Sequence, residues 1–183
     1  CGREWCHSDR LPAALPRQGW KLHVSATILN ASEVFDRVRP VLARRGTFFK
    51  VPTTLDHLLA LNSGVPHFSQ VGKFLTVYTR GGVEAREMAG ELHGATIGCS
   101  GPEVPFDRRF RRHSLIYYRY GAFGMTGRVL SSRPPMILGP KGGAHRDRRA
   151  PGCAVPPWLE DLLGPAPSTG RPAKSPRGQL GTR

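Results

Sequence analysis

Two basic side chains, Lys21 and His23, stand one residue apart in the run Trp20-Lys21-Leu22-His23-Val24-Ser25-Ala26-Thr27. The run alternates strictly, with Trp20, Leu22, Val24 and Ala26 apolar and the residues between them polar. Period-two alternation signals a half-buried strand, so Lys21 and His23 project from the same face. A solvated strand surface would account for that pair without any chemistry. A third basic group, Lys50, follows two phenylalanines in the short apolar run Thr47-Phe48-Phe49-Lys50-Val51. A lysine held near other cations and partly desolvated loses its proton more easily and can act as a base near neutral pH. A neighbouring histidine can then serve as general acid. Arg119, flanked by Tyr118 and Tyr120, can stack on rings at a surface or offer paired donors to a phosphate. Tyr78 and Arg80 close the run that begins at Lys73 and can join it. Taken by residue type alone, these groups specify a phosphate site and nothing narrower.

Other patterns do not lead to a reaction. Gly121, Gly124 and Gly127 do not make the dinucleotide-binding spacing, and no phosphate-binding loop ending in Gly-Lys-Ser/Thr is present. Neither the catalytic-loop nor the metal-binding tripeptide of protein kinases occurs, and no Gly-x-Ser-x-Gly elbow supports a serine nucleophile. The four cysteines Cys1, Cys6, Cys99 and Cys153 have no paired spacing, so neither a zinc site nor a small disulfide scaffold is indicated. The run Arg108-Arg109-Phe110-Arg111-Arg112-His113 mixes an aromatic ring with positive charge. It can touch nucleic acid, but reads more simply as a solvated loop.

The elements that must position these groups follow from the same pass. After an N-terminal arm over 1–19 comes the strand at 20–27, then an amphipathic helix from Asn30 to Gly46 with Val34, Val38, Val41 and Leu42 on one face. Asn30 is expected to cap it with Glu33 at the third position, and Pro40 to kink it. A strand at 47–51, a short helix from Thr53 or Thr54 to about Leu61, and a loop over 62–72 follow. Lys73 to Thr79 is a strand, Val83 to Thr96 a helix carrying Val83, Met88, Leu92 and Ala95, and Leu115 to Tyr120 the last strand. The order β-α-β-α-β-α-β, with loops that allow antiparallel pairing, predicts an α+β or mixed α/β domain over 20–123.

The 183 residues carry a formal net charge of +14, which attracts phosphates of any kind, nucleic acid and membrane surfaces included. Residues 124–183 hold ten Pro and ten Gly in sixty positions, and their ten Lys/Arg against three Asp/Glu supply half the excess charge. That composition predicts a disordered linker. No apolar run approaches a membrane span and no signal peptide is visible, so a cytoplasmic protein is expected. The chain begins with Cys. A processed protein or a piece of a longer reading frame is expected from that.

Four ordered segments carry a resemblance: Gln18 to Thr27, Arg45-Gly46-Thr47-Phe48-Phe49-Lys50, Gly72-Lys73-Phe74-Leu75-Thr76-Val77-Tyr78, and Tyr117-Tyr118-Arg119-Tyr120-Gly121-Ala122-Phe123. In order and spacing the chain resembles the N-terminal lyase region of class III lanthipeptide synthetases. Trp5 to His7 resembles a stretch just upstream in those enzymes. Asp147 to Pro151 and Val155 to Trp158 resemble the linker toward their kinase domain. That region is similar to the bacterial effector phosphothreonine lyases, which implies a twisted antiparallel or mixed sheet with flanking helices.

The resemblance implies roles as well. Lys50 would remove the α-proton of a phosphoserine or phosphothreonine in a precursor peptide, and His23 would protonate the leaving phosphate. Lys21 would steady the developing negative charge, Arg119 would hold the phosphate, and Tyr78 would line the pocket. The product would be dehydroalanine or dehydrobutyrine, and no metal or cofactor is implied. The family pattern usually has an arginine where this chain has Phe68. His67 or Arg80 is expected to take over that phosphate contact. Kinase and cyclase regions are not matched within the 183 residues, so those activities would be encoded elsewhere or lost, and after Gly164 the likeness ends. Two other readings stand beside the lyase: a phosphopeptide- or leader-binding remnant without turnover, and a basic nucleic-acid-binding fragment.

Overall fold

The computed structural model describes residues 2, 4–8, 15–65, 67–123 and 135–164. Its elements in chain order are the strand Trp5–His7 (β1), strand Gln18–Val24 (β2), helix Ala31–Arg45 (α1), strand Phe48–Pro52 (β3), helix Leu55–Ser63 (α2), strand Leu75–Tyr78 (β4), helix Gly82–Ala95 (α3), strand Arg108–Arg109 (β5), strand Ile116–Ala122 (β6), and a hairpin of Met136–Leu138 (β7) with Ala144–Arg146 (β8). The first six strands form one sheet in the order β1-β3-β4-β2-β6-β5, and every pairing in it is antiparallel. This is the α+β fold that the element order predicts.

The apolar half of the β2 alternation does what its period requires. Trp20, Leu22 and Val24 join Leu75 and Val77 of β4 and Ile116 and Tyr118 of β6 in one buried cluster with side chains from all three helices. On α1, the predicted stripe Val34, Val38, Val41 and Leu42 is buried in that cluster. On α3, Met88 and Leu92 are buried with Ala85 and Ala89, whereas Val83 faces outward. Thr54 caps α2, its hydroxyl accepting from the His57 amide at 3.1 Å. The expected Asn30 cap is different: Asn30 occupies the cap position, but its side chain turns back to accept from the Thr27 amide and hydroxyl and donates to the Ser100 carbonyl. Glu33 pairs with Arg37 one turn on.

Three segments differ from the sequence reading. Trp5–His7, read as part of an arm, is an edge strand on β3. Arg108 and Arg109, read as loop, are the opposite edge strand, and ion pairs to Asp161 and Glu103 hold them there. Of the stretch read as a disordered linker, residues 135–164 form the β7–β8 hairpin and a following segment that places Ala154 and Leu163 in buried positions. The rest of that stretch lies outside the described residues.

Gly72 shows how tightly the covering loop sits. Its φ is +74°, and a Cβ there would lie 2.7 Å from the Glu103 carbonyl oxygen. Gly72→Ala is expected to cost about 1–3 kcal/mol through left-handed strain and the clash. Urea unfolding measures this, and an unchanged midpoint would contradict the packing.

Candidate active site

Antiparallel register sets the site. Residues directly opposite across neighbouring strands share a face, with Cβ atoms about 5 Å apart. His7, Lys50, Thr76, His23, Tyr117 and Arg109 form one row across all six strands. Phe48, Tyr78, Lys21 and Arg119 form the next row. The residues singled out from sequence thus meet on one side of the sheet. Lys50 and His23 are separated by the β4 strand, where Thr76 forms the floor. Two strand spacings put their backbones about 10 Å apart.

That face is not the solvated surface that alternation alone allows. Lys21, His23, Lys73 and Arg119 are each at most 6% exposed. Burying charge is costly unless it is paired, and two carboxylates do the pairing. Asp107 accepts from His23 Nδ1 and, at 3.2 Å, from Lys73 Nζ. Asp147 accepts from an Arg119 Nη2 that also donates to the Arg148 carbonyl at 3.1 Å. The second Asp147 oxygen takes the Ala122 amide at 3.1 Å. Gly121 makes that approach possible, since a Cβ there would lie 2.7 Å from the Asp147 carboxylate. Lys21 Nζ donates to the Ala122 carbonyl at 2.7 Å. Lys50 is less enclosed: its Nζ sits 3.7 Å from the centroid of the Trp5 ring, and His7 stacks on Phe48 beside it.

The electrostatics follow from this crowding. Burial, with Arg119, Arg149 and Lys73 nearby, lowers Lys21 to about 7 despite Asp147. Burial, Arg149 and Lys73 lower Lys50 to about 8. Lys73 falls to about 8, again first through burial. Burial and then Lys73 push His23 down to about 3, against the pull of Asp107. Burial would raise the Asp107 carboxyl, but His23, Lys73 and Arg119 hold it below the usual carboxylate range. At neutral pH His23 is a neutral imidazole donating Nδ1–H to an ionised Asp107, which leaves Nε2 as an acceptor. Burial raises the Tyr78 phenol, which packs between Phe48 and Phe123.

Sequence reasoning placed Lys21, His23, Lys50, Tyr78 and Arg119 together, and the sheet brings them together. Arg80 is exposed after β4, its amide donating to the Glu84 carboxylate in the first turn of α3, and it stands apart from the buried cluster. His67 caps a short 3-10 turn by accepting from Ser69. Phe68 is exposed and packs edge-on against Phe106. Four participants were missed: Lys73, Asp107, Asp147 and Arg149. Buried cations demand carboxylates, and a chain with 13 acidic residues against 27 Lys/Arg has few to offer, but spacing alone does not say which ones. Arg149 follows directly on the Asp147-Arg148 segment that seals Arg119. It is exposed, and its charge reaches Lys21, Lys50, Lys73 and Tyr78.

A sheet face presenting lysines, a histidine and an arginine around a small hydroxyl floor has the chemistry to receive an anionic group. The model of the RamC N-terminal domain family matches residues 2–176, and the chain belongs to that family. This accords with the resemblance of its motifs to the N-terminal region of class III lanthipeptide synthetases. A relative named "Probable SapB synthase", from Streptomyces coelicolor, is 33% identical over 159 residues. The match covers 86% of this chain and 17% of the relative's length.

The lowered lysines make a stability prediction. Lys21 titrates near 7 when folded and near 10.4 when unfolded. Between those values the unfolded chain binds more protons, so stability climbs as pH rises, with Lys50 and Lys73 adding in the same sense. From about pH 7 to 9.5, below the tyrosines, the urea midpoint should rise. Lys21→Met should shrink that rise by on the order of 2–4 kcal/mol. A wild-type midpoint that is flat or falling across the window would contradict the burial of neutral lysines.

Proposed function

We propose that this chain is a phosphate-eliminating carbon–oxygen lyase module acting on phosphoserine or phosphothreonine in a precursor peptide. What carries the reading is the row Lys50–Thr76–His23: a lysine near 8 and a histidine whose Nδ1 is held by Asp107 so that Nε2 is its working nitrogen, bracketing a small floor. β-Elimination needs a base at the Cα hydrogen and an acid at the leaving oxygen on Cβ, and Cα and that oxygen are only two bonds apart. Neutral Lys50 takes the α-proton, the electron pair becomes the Cα–Cβ double bond, and the Cβ–O bond breaks toward phosphate. His23 protonates that oxygen. It gains its acid proton when the phosphate dianion arrives, since a nearby anion favours the imidazolium. Asp107 fixes the ring through Nδ1.

Lys21 and Lys73 take up protons as the phosphate dianion arrives, since a nearby anion favours their charged form, and then offset the charge that builds on it in a site shielded from water. Arg119 meets the phosphate by exchanging Asp147 for it, or through its buried Nε, which has no hydrogen-bond partner among the described residues. Arg149 supplies an exposed guanidinium over the same cluster, and so takes the part first expected of His67 or Arg80 in place of the arginine that Phe68 replaces. Tyr78 walls the pocket. Kinase and cyclase steps belong to other parts of the pathway's machinery, and cysteine addition to the alkene follows the elimination.

Arg119 sealed by Asp147 is also what a phosphopeptide-binding remnant would have, and one experiment separates the two. The full chain is incubated with a synthetic phosphoserine peptide and followed by mass spectrometry. Loss of phosphoric acid to dehydroalanine is expected, rising toward about pH 8 as Lys50 loses its proton. Lys50→Ala and His23→Ala should each lower the rate about 10²–10⁴-fold. A folded wild type that binds the peptide and never eliminates, with both variants indistinguishable from it, would establish the binding remnant instead.

A further inference from the structure

The arginine run that sequence analysis set aside lines a second cavity. At the β5 edge of the sheet, Arg109, Phe110, Arg111 and Arg112 meet Arg86 of α3 and Leu163 around a space of about 610 Å³. Arg109 is committed to Glu103 and stacks over Tyr117. Arg86, Arg111 and Arg112 are exposed and make no ion pair among the described residues, and Arg111 lies over the Phe110 ring. Three unpaired guanidiniums around one concavity repel one another, and none can shed its charge as a lysine can. Phe110 and Leu163, both buried, give the cavity an apolar floor.

We propose that this cavity binds an acidic segment of the peptide substrate, away from the phosphorylated residue. The occupant must be anionic, which excludes this chain's own last stretch: residues 165–183 contain Arg171, Lys174, Arg177 and Arg183 and no Asp or Glu. A net charge of +14 likewise disfavours a second copy. A half-open concavity whose one lining ring, Phe110, is buried in the floor suits carboxylate side chains on a peptide better than a nucleic acid, which needs exposed rings on which its bases stack. The location bears on the occupant as well. Arg109 stands on the His23 row with Tyr117 between them, whereas Phe110, the next residue, turns to the helix side with Leu163. The cavity therefore lies around the β5 edge from the site face, within reach of a peptide that passes over that edge. The occupant as a peptide substrate rests on the lyase reading; the anion site does not.

The test therefore begins with binding. A fluorescent oligoglutamate peptide is titrated against the full chain, against Arg86→Ala/Arg112→Ala, and against Arg39→Ala/Lys141→Ala, which removes the same charge from exposed positions elsewhere. The pocket variant should bind about tenfold more weakly than wild type, and the control should match wild type. Equal losses in both variants, or no binding by wild type, would overturn the site. A labelled single-stranded oligonucleotide that binds more tightly than oligoglutamate, and is lost in the pocket variant, would overturn the peptide assignment. In the elimination assay, glutamates three or more residues from the phosphoserine should lower KM for wild type, and this advantage should vanish in the pocket variant. If elimination fails altogether, the oligoglutamate result still decides the site.

Discussion

The structure turns on the burial of Lys21, His23, Lys73 and Arg119 on the polar side of the central strands, balanced by Asp107 and Asp147. Without those carboxylates the face would have to be wet. With them it can be sealed by the loop that carries Asp107 and by the segment after the β7–β8 hairpin. The two carboxylates come from opposite ends of the fold's second half, so the loop after α3 and the residues beyond β6 are both held to the sheet through the cations they neutralise. Gly72 and Gly121 are small because these two covers pass so close.

The same burial divides the basic residues into two kinds. Buried lysines can give up a proton when desolvated, and Lys21 and Lys50 on the sheet and Lys73 just before β4 are all shifted toward neutrality. Arginines cannot, so they are either paired with carboxylates, as Arg119, Arg108 and Arg109 are, or left in the open, as Arg149, Arg86, Arg111 and Arg112 are. For the phosphate dianion proposed as its ligand, such a site would profit from both. Neutral lysines cost little while the site is empty, and fixed guanidiniums draw the anion in.

Much of this was legible in the residue pattern. The helix stripes, the four main strands and the shared face of Lys21 and His23 follow from periodicity, because each buries an apolar face with its own period. Lys50 was legible as a lysine on an apolar strand, and register alone brings it into the His23 row. What could not be read was pairing at a distance. Asp107 sits beside an arginine run that masks its partner, and Asp147 lies in a Pro/Gly-rich stretch whose composition predicts disorder. Trp5–His7 is a three-residue edge strand, too short for any period to show. The depth of burial on the polar face was also hidden, since alternation reports which side is apolar and not what covers the other side.

Burial holds Lys21 and Lys73 toward the neutral form, and an arriving anion favours their protonated form. Isothermal calorimetry of a phosphoserine peptide binding to the full chain, run near pH 8 in buffers of different ionisation enthalpy, measures the protons exchanged. His23→Ala keeps the peptide intact while leaving the lysines in place. Net proton uptake on binding is expected, and it should shrink when Lys21 is also changed to Met. Binding with no uptake, or with release, would contradict it.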